Sequence, residues 1–281
     1  MNKWFIISSV LIWIACNPKP IPIELEPHQP KLVVSSQVVP NQIMLIALTK
    51  SFNVLEHNES EDSLNQVILE DLLVENAEVV ISYRDVVDTL FMVQPGLYAS
   101  ITTPQYTNEV YSLSCNDNQG LTCTANSLML EKVNFDEVTL GEVVDSTLTI
   151  NYAFTDIAGA NYYMVNVYKK GQNTGALDNN SIFENGSNVL LKTELITDIA
   201  YESNAISSSF DVYGLTPTDT VAVSLSNIDK TYYEYLQLRQ KSGNWFSEIT
   251  QEPINYPTNV ENGYGFFNTH FPDVRIFYLA N

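Results

Sequence analysis

The chain has 281 residues, of which 33 are acidic and 13 are basic, so its formal net charge is −20 at pH 7. Hydrophobic residues make up 45% of it, which suffices for one large or two ordinary globular domains. The acidic balance, spread along the chain with no basic patch, disfavours nucleic acid as a partner and electrostatic docking on anionic lipid.

The first 16 residues have the composition of a secretory signal that ends at a lipid-attachment cysteine. One positive charge, at Lys3, precedes a mostly apolar run from Trp4 to Ile14, and the small residue Ala15 stands before Cys16. A lasting bilayer-spanning helix needs roughly 20 apolar residues, so this run is too short for one. We expect residues 1–15 to be removed as a signal peptide and Cys16 to be acylated as in bacterial lipoproteins. The alternative is an ordinary signal peptide with a chance cysteine near the cut.

Residues 16–30 are predicted to form an extended tether. Five prolines occur in the fourteen residues after Cys16. Because proline fixes φ and lacks a backbone donor, this run favours polyproline II over a packed element. At about 3.1 Å per residue it would hold a folded body roughly 40 Å from the lipid.

From Lys31 onward, apolar and β-branched runs alternate with turn residues, which is typical of a β-sandwich. We predict an immunoglobulin- or transthyretin-like sandwich over residues 31–130, with Tyr106 or Tyr111 as a candidate tyrosine corner. Its predicted strands cover residues 31–39, 43–48, 77–83, 86–93, 97–99, 106–115 and 121–125.

Cys115 and Cys123 form an even pair in an exported chain and flank the turn-rich stretch 116–120. If the runs on either side pair as a hairpin, the two side chains lie opposite each other at nearly the Cβ spacing of a disulfide. We favour a cross-hairpin disulfide over two free buried thiols, and either role is structural. The turn itself lacks the alternating acids and distal glutamate of a calcium loop, so we favour a plain turn there. Solubility is the favoured reason for the overall acidity, with calcium sites as the alternative.

Residues 131–281 are predicted to form a second β-rich domain with one packed α-helix near 227–242. Ser226 and Asp229 resemble a capping box, basic Arg239 and Lys241 suit the C-terminal end of the helix dipole, and Gly243 can end the helix. Predicted strands cover residues 138–154, 162–168, 209–213, 220–225 and 274–279.

Tyrosine is concentrated in this second half, where twelve of the sixteen tyrosines follow residue 150. Tyrosine offers a flat apolar face and a polar tip, so it suits interfaces as well as the rim of a sandwich. Packing is the favoured role for most of them. Tyr233 and Tyr264, beside the helix and the tail turn, are the candidate binding residues.

A tail motif of asparagine, glycine and phenylalanine consists of Asn259, Asn262, Gly263, Gly265, Phe266 and Phe267. Glycine and asparagine permit a tight turn with φ > 0, after which the phenylalanines enter the core, so we favour a structural turn over a ligand-contacting loop. Together with Lys31–Val34, Gly96–Tyr98 and Tyr232–Tyr233, this motif resembles a Bacteroidetes lipoprotein family known as domain of unknown function 4249. The resemblance implies an outer-membrane lipoprotein, often encoded beside a TonB-dependent receptor, and supplies no catalytic residues.

Catalytic patterns are missing from the sequence. No two of the three histidines have metal-ligand spacing, and there is no zinc-protease, nucleophile-elbow or phosphate-loop motif. We therefore expect a protein without enzymatic activity, cofactor or metal that acts as an accessory or ligand- or partner-binding subunit in the outer membrane. A TonB-dependent receptor is its expected partner. The alternatives are a hydrolase acting on glycan or peptide and a structural or adhesion protein of the envelope. Surface and periplasmic exposure both stay open.

Overall fold

The computed structural model describes residues 29–39, 43–51, 72–170, 188–201, 204–242 and 256–279. The predicted signal peptide, Cys16 and nearly all of the tether lie outside these ranges. The strands are β1 (Leu32–Val39), β2 (Ile43–Lys50), β3 (Glu78–Tyr83), β4 (Val86–Thr89), β5 (Phe91–Gln94), β6 (Leu97–Ser100), β7 (Glu109–Asn116), β8 (Thr122–Met129), β9 (Phe135–Leu140), β10 (Thr147–Thr155), β11 (Tyr162–Lys170), β12 (Asn188–Thr197), β13 (Ala205–Tyr213), β14 (Thr220–Ile228), β15 (Val260–Glu261), β16 (Gly263–Phe266) and β17 (Asp273–Tyr278). A helix, α1 (Lys230–Ser242), follows β14. The prediction of a mainly β protein with a packed helix is confirmed.

Two five-stranded sheets, ordered β16-β1-β2-β6-β5 and β15-β8-β7-β3-β4, form what we call the first sandwich. Strict alternation of exposed and buried residues along β8 shows why this sequence forms strands, since one face of each strand must enter the core. The core includes Leu32, Val34, Ile46, Ile81 and Leu113, all almost fully buried.

Tyr111 on β7 forms the tyrosine corner of this sandwich. Its hydroxyl donates to the carbonyl of Pro104 at 2.7 Å and accepts from the backbone N–H of Tyr106 at 2.8 Å. Tyr111 has no solvent exposure, so both hydrogen bonds are formed inside the core. Of the two candidates, the structure therefore gives the corner role to Tyr111.

The single strand predicted over residues 86–93 is divided into β4 and β5. Leu90 between them is buried, and its N–H donates to the carbonyl of Val79 at 2.8 Å. β4 pairs with β3 in one sheet, whereas β5 pairs with β6 in the facing sheet. The chain therefore changes sheets at Leu90, because the sandwich buries this one side chain between its two layers.

The predicted division after residue 130 misplaces the tail, because β15 and β16 belong to the first sandwich. β15 pairs antiparallel with β8, and β16 pairs parallel with β1. Val260 and Phe267 are buried in the first core. The first sandwich is thus discontinuous in sequence, and the chain crosses between the two bodies three times.

A three-stranded sheet, β13-β10-β9, and a four-stranded sheet, β12-β11-β14-β17, form the second sandwich. The predicted strand over residues 138–154 is instead a hairpin of β9 and β10. Asp145 and Ser146 turn the chain with φ of 49° and 63°, a conformation that short polar side chains tolerate better than most.

Helix α1 begins three residues later than the sequence predicted. Ser226 lies in β14, which extends to Ile228 because it pairs with β11 along its whole length. Asp229 caps the helix instead, since its carboxylate accepts from the N–H of Thr231 at 2.7 Å. The proposed stop at Gly243 lies outside the described residues. None of the described helical segments has the length and apolar character that crossing a membrane requires.

Candidate functional site

The tail motif is held in place by the side chain of Asn259. Its amide nitrogen donates to the carbonyls of Asn126 at 2.8 Å and Phe267 at 2.7 Å, and its amide oxygen accepts from the N–H of Phe267 at 2.9 Å. These three bonds close the tail into a loop and fasten it to β8. Asn259 therefore has the structural role that the sequence favoured.

The two glycines of the tail lie where β16 runs against β1. Asn262 turns the chain with φ of 59°. A Cβ on Gly263 would stand 2.7 Å from the carbonyl oxygen of Leu32, and one on Gly265 would overlap the carbonyl oxygen of Val34. Gly265 also has φ of +87°. The parallel pairing of β16 with β1 consequently requires glycine at both positions.

Four rings meet where α1 approaches this tail, and we call them the aromatic junction: Tyr232, Tyr235, Tyr256 and Phe266. The Phe266 ring centroid lies 5.0 Å from that of Tyr232 and 5.4 Å from that of Tyr235. Tyr235 also contacts Tyr256 edge-to-face at 5.9 Å. Because Phe266 belongs to the first sandwich and α1 to the second, the junction packs the two bodies together.

The two candidate binding tyrosines have different surroundings. Tyr233 is 8% exposed, its ring lies 4.9 Å from that of Tyr162, and burial raises the pKa of its hydroxyl. Tyr264 is 39% exposed, with the Lys31 ammonium 5.2 Å from its ring centroid. Tyr233 thus packs α1 onto its sheet, and only Tyr264 presents its ring to solvent.

Tyr232 and Tyr235 are the helix residues that reach the tail, and the sequence analysis did not select them as a pair. Their rings stack on one another at 6.0 Å. The signal was present in their i, i+3 spacing, which places both side chains on one helix face. Tyr233, the residue that the sequence suggested, lies instead on the face of α1 that packs on its own sheet.

Buried polar side chains directly follow the tail motif and bridge the two sheets of the first sandwich. The Ser36 hydroxyl on β1 donates to the carbonyl of Asn268 at 2.8 Å and accepts from its N–H at 2.7 Å. On β8, Ser127 accepts from the N–H and hydroxyl of Thr269 at 2.8 and 2.9 Å. His270 comes next and is 7% exposed, and its burial lowers the pKa of the imidazole to about 4.

Asp273 links two of the three chain crossings between the sandwiches, the one that leads into β9 and the one that leads into β17. Its carboxylate accepts from the N–H of Phe135 at 3.0 Å and pairs with Lys132 at 3.6 Å and with Arg275 at 3.2 Å. Arg275 in turn donates to the carbonyl of Phe135 at 3.1 Å. No sequence pattern identified this clamp, because its members come from segments far apart in the chain.

An acidic concavity with a volume of about 330 Å³ lies in the second sandwich, around the turn between β10 and β11. Its two carboxylates, Asp156 and Asp198, each accept a hydrogen bond from the chain, while Oδ1 of Asp198 is buried without a hydrogen-bond partner among the described residues. Asp156 accepts from the Tyr163 hydroxyl, and Asp198 accepts from the N–H of Asn161 at 2.8 Å. The part of the chain that the structure describes contains no group of three or more His, Cys, Asp or Glu side chains placed to hold a metal.

Cys115 and Cys123 lie directly opposite each other in the β7–β8 hairpin, each 1% exposed. The structure has them as separate thiols. The hydrogen bond between the two thiols, followed by burial, raises the pKa of the Cys115 thiol. A raised pKa keeps a thiol protonated and unreactive towards solvent reagents, so a structural role fits this pair.

We expect a disulfide between Cys115 and Cys123 in the exported protein. Closing so short a loop stabilises a fold by roughly 2–3 kcal/mol in chain-entropy terms. Thiol titration of the unfolded, unreduced protein should find neither cysteine free, and reductant should lower the free energy of unfolding by about that amount. A double Cys115→Ala, Cys123→Ala variant should not respond to reductant. Two titratable thiols in protein purified from its own envelope would contradict this prediction.

Comparison with known proteins identifies one family. A family model described as "Domain of unknown function (DUF4249)" matches residues 18–270. No curated protein matches the chain.

Similar solved structures include one described as "Cytokine receptor complex - Crystal form 1A", 9% identical, covering 88% of this chain and 97% of that one, with a TM-score of 0.26. Another is "Crystal structure of chicken CNTN1 FN1-FN3 domains", 10% identical, covering 72% of this chain and 63% of that one, with a TM-score of 0.23. TM-scores this low carry no inference about fold or function.

Proposed function

We propose, from the premise that this chain belongs to the DUF4249 family, that it is a non-catalytic lipoprotein of the outer membrane. In this proposal it is held by lipid on Cys16 and serves as an accessory or ligand- or partner-binding subunit beside a TonB-dependent receptor. The receptor link comes from the family resemblance alone. Anchorage comes from the apolar leader, the cysteine that ends it and the proline-rich run behind it.

The observation that carries the proposal is the position of the first strand after the tether. β1 is enclosed between β2 on one side and β16 on the other, and Leu32 and Val34 have no solvent exposure. A tether joined to an edge strand would separate that strand from its sheet under load, whereas the first half of β1, Leu32–Ser35, is paired on both sides. This arrangement suits a folded body that hangs from its N-terminus.

The reactive and titratable side chains that the structure describes support a binding role over a catalytic one. His270 is buried, Cys115 and Cys123 face each other in the core, and the carboxylates of Asp156 and Asp273 accept hydrogen bonds from the chain. Each of these groups stabilises a turn, a sheet or the contact between the sandwiches. His270, Cys115 and Cys123 are almost fully buried, so in this fold they do not reach a substrate in solution.

Anchorage is tested by changing the acylated residue. A fatty-acid analogue should label the wild-type protein and not Cys16→Ser, because only the thiol accepts the lipid, and the variant should leave the membrane fraction. Equal labelling of the two proteins would refute the anchor.

The accessory role is tested by affinity purification of the tagged lipoprotein from its own membrane after mild detergent extraction, followed by mass spectrometry. Recovery of a β-barrel receptor with the wild-type protein, and not with Cys16→Ser, is the expected result. Turnover of glycans or peptides by the purified protein would identify a hydrolase instead. Loss of cell attachment on deletion, without a receptor and without turnover, would identify an adhesin.

A further inference from the structure

The chain from β4 to β5 exposes an unusual set of large apolar side chains on the rim of the first sandwich. Five of them lie within eight residues: Val86 is 45% exposed, Val87 69%, Phe91 49%, Met92 40% and Val93 52%. We call this set the rim segment. Exposed apolar side chains in such a group mark interaction sites more often than scattered ones do.

The rim segment also has unpaired strand edges. β4 is the last strand of one sheet and β5 the last strand of the facing sheet, so no described strand lies beside the outer edge of either. An edge of this kind presents a row of backbone donors and acceptors to any extended chain that approaches it.

Other edge strands of the two sandwiches, with the exception of β16, carry charged side chains, which discourage pairing with a foreign strand. These residues are Asp136 on β9, Lys192 and Glu194 on β12, Asp211 on β13, Glu261 on β15 and Arg275 on β17. β5 carries no charged residue. The rim segment therefore lacks the protection that the chain gives to these edges.

Asp88 on β4 is the one carboxylate among residues 86–93, and it already accepts hydrogen bonds from neighbouring side chains. It accepts hydrogen bonds from the hydroxyls of Ser100 and Thr103 and, at 3.1 Å, from that of Thr102. The charge is thereby held against the turn after β6. An approaching chain meets mainly Val86, Val87 and the apolar residues of β5.

Area and charge argue against a second copy of this chain as the occupant. Five half-exposed side chains offer on the order of 400 Å², about half of the roughly 800 Å² per partner that a stable interface buries. Two copies would also each carry a net charge of −20, and such like charges repel. A narrow extended segment needs less area, because backbone hydrogen bonds to the edge supply part of its affinity.

We propose that the rim segment binds an extended segment of a different protein by strand addition to β4. The bound segment alternates apolar residues, which cover Val87, with uncharged or basic ones. This inference specifies the kind of partner for the binding role proposed above, and it rests on that proposed function. Its test needs neither the lipid nor a receptor, so the two proposals fail separately.

The test uses the purified full-length mature protein and a panel of four capped, uncharged eight-residue peptides. Each peptide alternates threonine with valine, isoleucine, phenylalanine or tyrosine. Calorimetry should detect binding of at least one peptide with a Kd below about 1 mM. Bound peptide should slow amide exchange in β4, at Val86–Thr89, and a form methylated at every backbone nitrogen should not bind.

Val87→Lys should weaken peptide binding at least about tenfold, because it places a charge on the edge as the protected strands do. Ile276→Lys is the matched control, since Ile276 is 61% exposed on the edge strand β17; it should leave binding within about twofold. Circular dichroism confirms that both variants fold. Absence of binding by all four peptides, or equal binding by the Val87 and Ile276 variants, overturns the proposal. A concentration-dependent dimer that Val87→Lys abolishes would overturn it in favour of a second copy.

Discussion

Replacing Gly265 by alanine should lower the free energy of unfolding of the first sandwich by about 4 kcal/mol, because two costs combine at this position. With φ of +87°, an L side chain is strained before any contact is considered. The new Cβ would also overlap the carbonyl oxygen of Val34 and lie 2.9 Å from its carbonyl carbon. Both atoms are backbone in β1, so relief requires β16 to separate from β1. Urea unfolding followed by circular dichroism measures the loss.

Gly120→Ala is the matched control for this prediction. Gly120 has φ of +89°, nearly the value of Gly265, but a Cβ added there meets nothing within 4 Å. It lies in the turn between β7 and β8, so it reports on the same sandwich. We expect it to cost about 1 kcal/mol, the strain alone. Equal losses in the two variants would show that the parallel contact between β16 and β1 contributes nothing.

Local patterns in the sequence predicted the strands well and their partners less well. Alternation of apolar and polar residues located β7 and β8, and the turn residues between them indicated the hairpin that brings Cys115 opposite Cys123. Both signals act over a few residues, which is the range over which a side-chain period is readable. The hairpin needs no information from elsewhere in the chain.

The tail could not be placed in this way. The motif around Gly263 and Gly265 indicated a tight turn, but its requirement for glycine is set by β1, more than 200 residues earlier in the chain. No periodicity within the tail specifies which strand lies beside it. For the same reason the Asp273 clamp and the aromatic junction became visible only in the folded chain. The division between the two sandwiches was misplaced because the tail's partner strands are distant in sequence.

The change of sheet at Leu90 shows a second limit of predicting strands from local sequence patterns. Residues 86–93 are apolar without clear alternation, which favours one continuous strand. In the folded chain, Leu90 is buried while the residues on both sides of it are exposed. Tertiary packing thus divides what propensity alone would join. The exposed residues that result form the rim segment, so the error in the strand prediction coincides with the surface proposed to bind a partner.

Acidification below about pH 6.5 should destabilise the first sandwich, because His270 is buried as the neutral imidazole. Burial lowers the pKa of its ring from 6.5 to about 4. Asn268 supports the neutral form, since its amide nitrogen lies 2.9 Å from Nδ1 and donates to an unprotonated ring atom. Between pH 6.5 and 4 the unfolded chain therefore binds a proton that the folded chain does not.

Stability consequently falls as pH decreases through that window, by about 3 kcal/mol in total, and is fully present above the pKa of the unfolded histidine. His270→Gln removes the titrating group, so its free energy of unfolding should stay nearly constant from pH 6.5 to 4, whatever its absolute value. The carboxylates of Asp88 and Asp219, whose pKa values hydrogen bonds hold below the usual 3.8 against the opposing effect of burial, lose their contribution only below this window. Urea unfolding at four pH values between 4 and 7.5 distinguishes the two proteins. An NMR titration in which the His270 ring protonates near pH 6.5, or equal pH slopes for both proteins, would show that the ring is not held neutral by the fold.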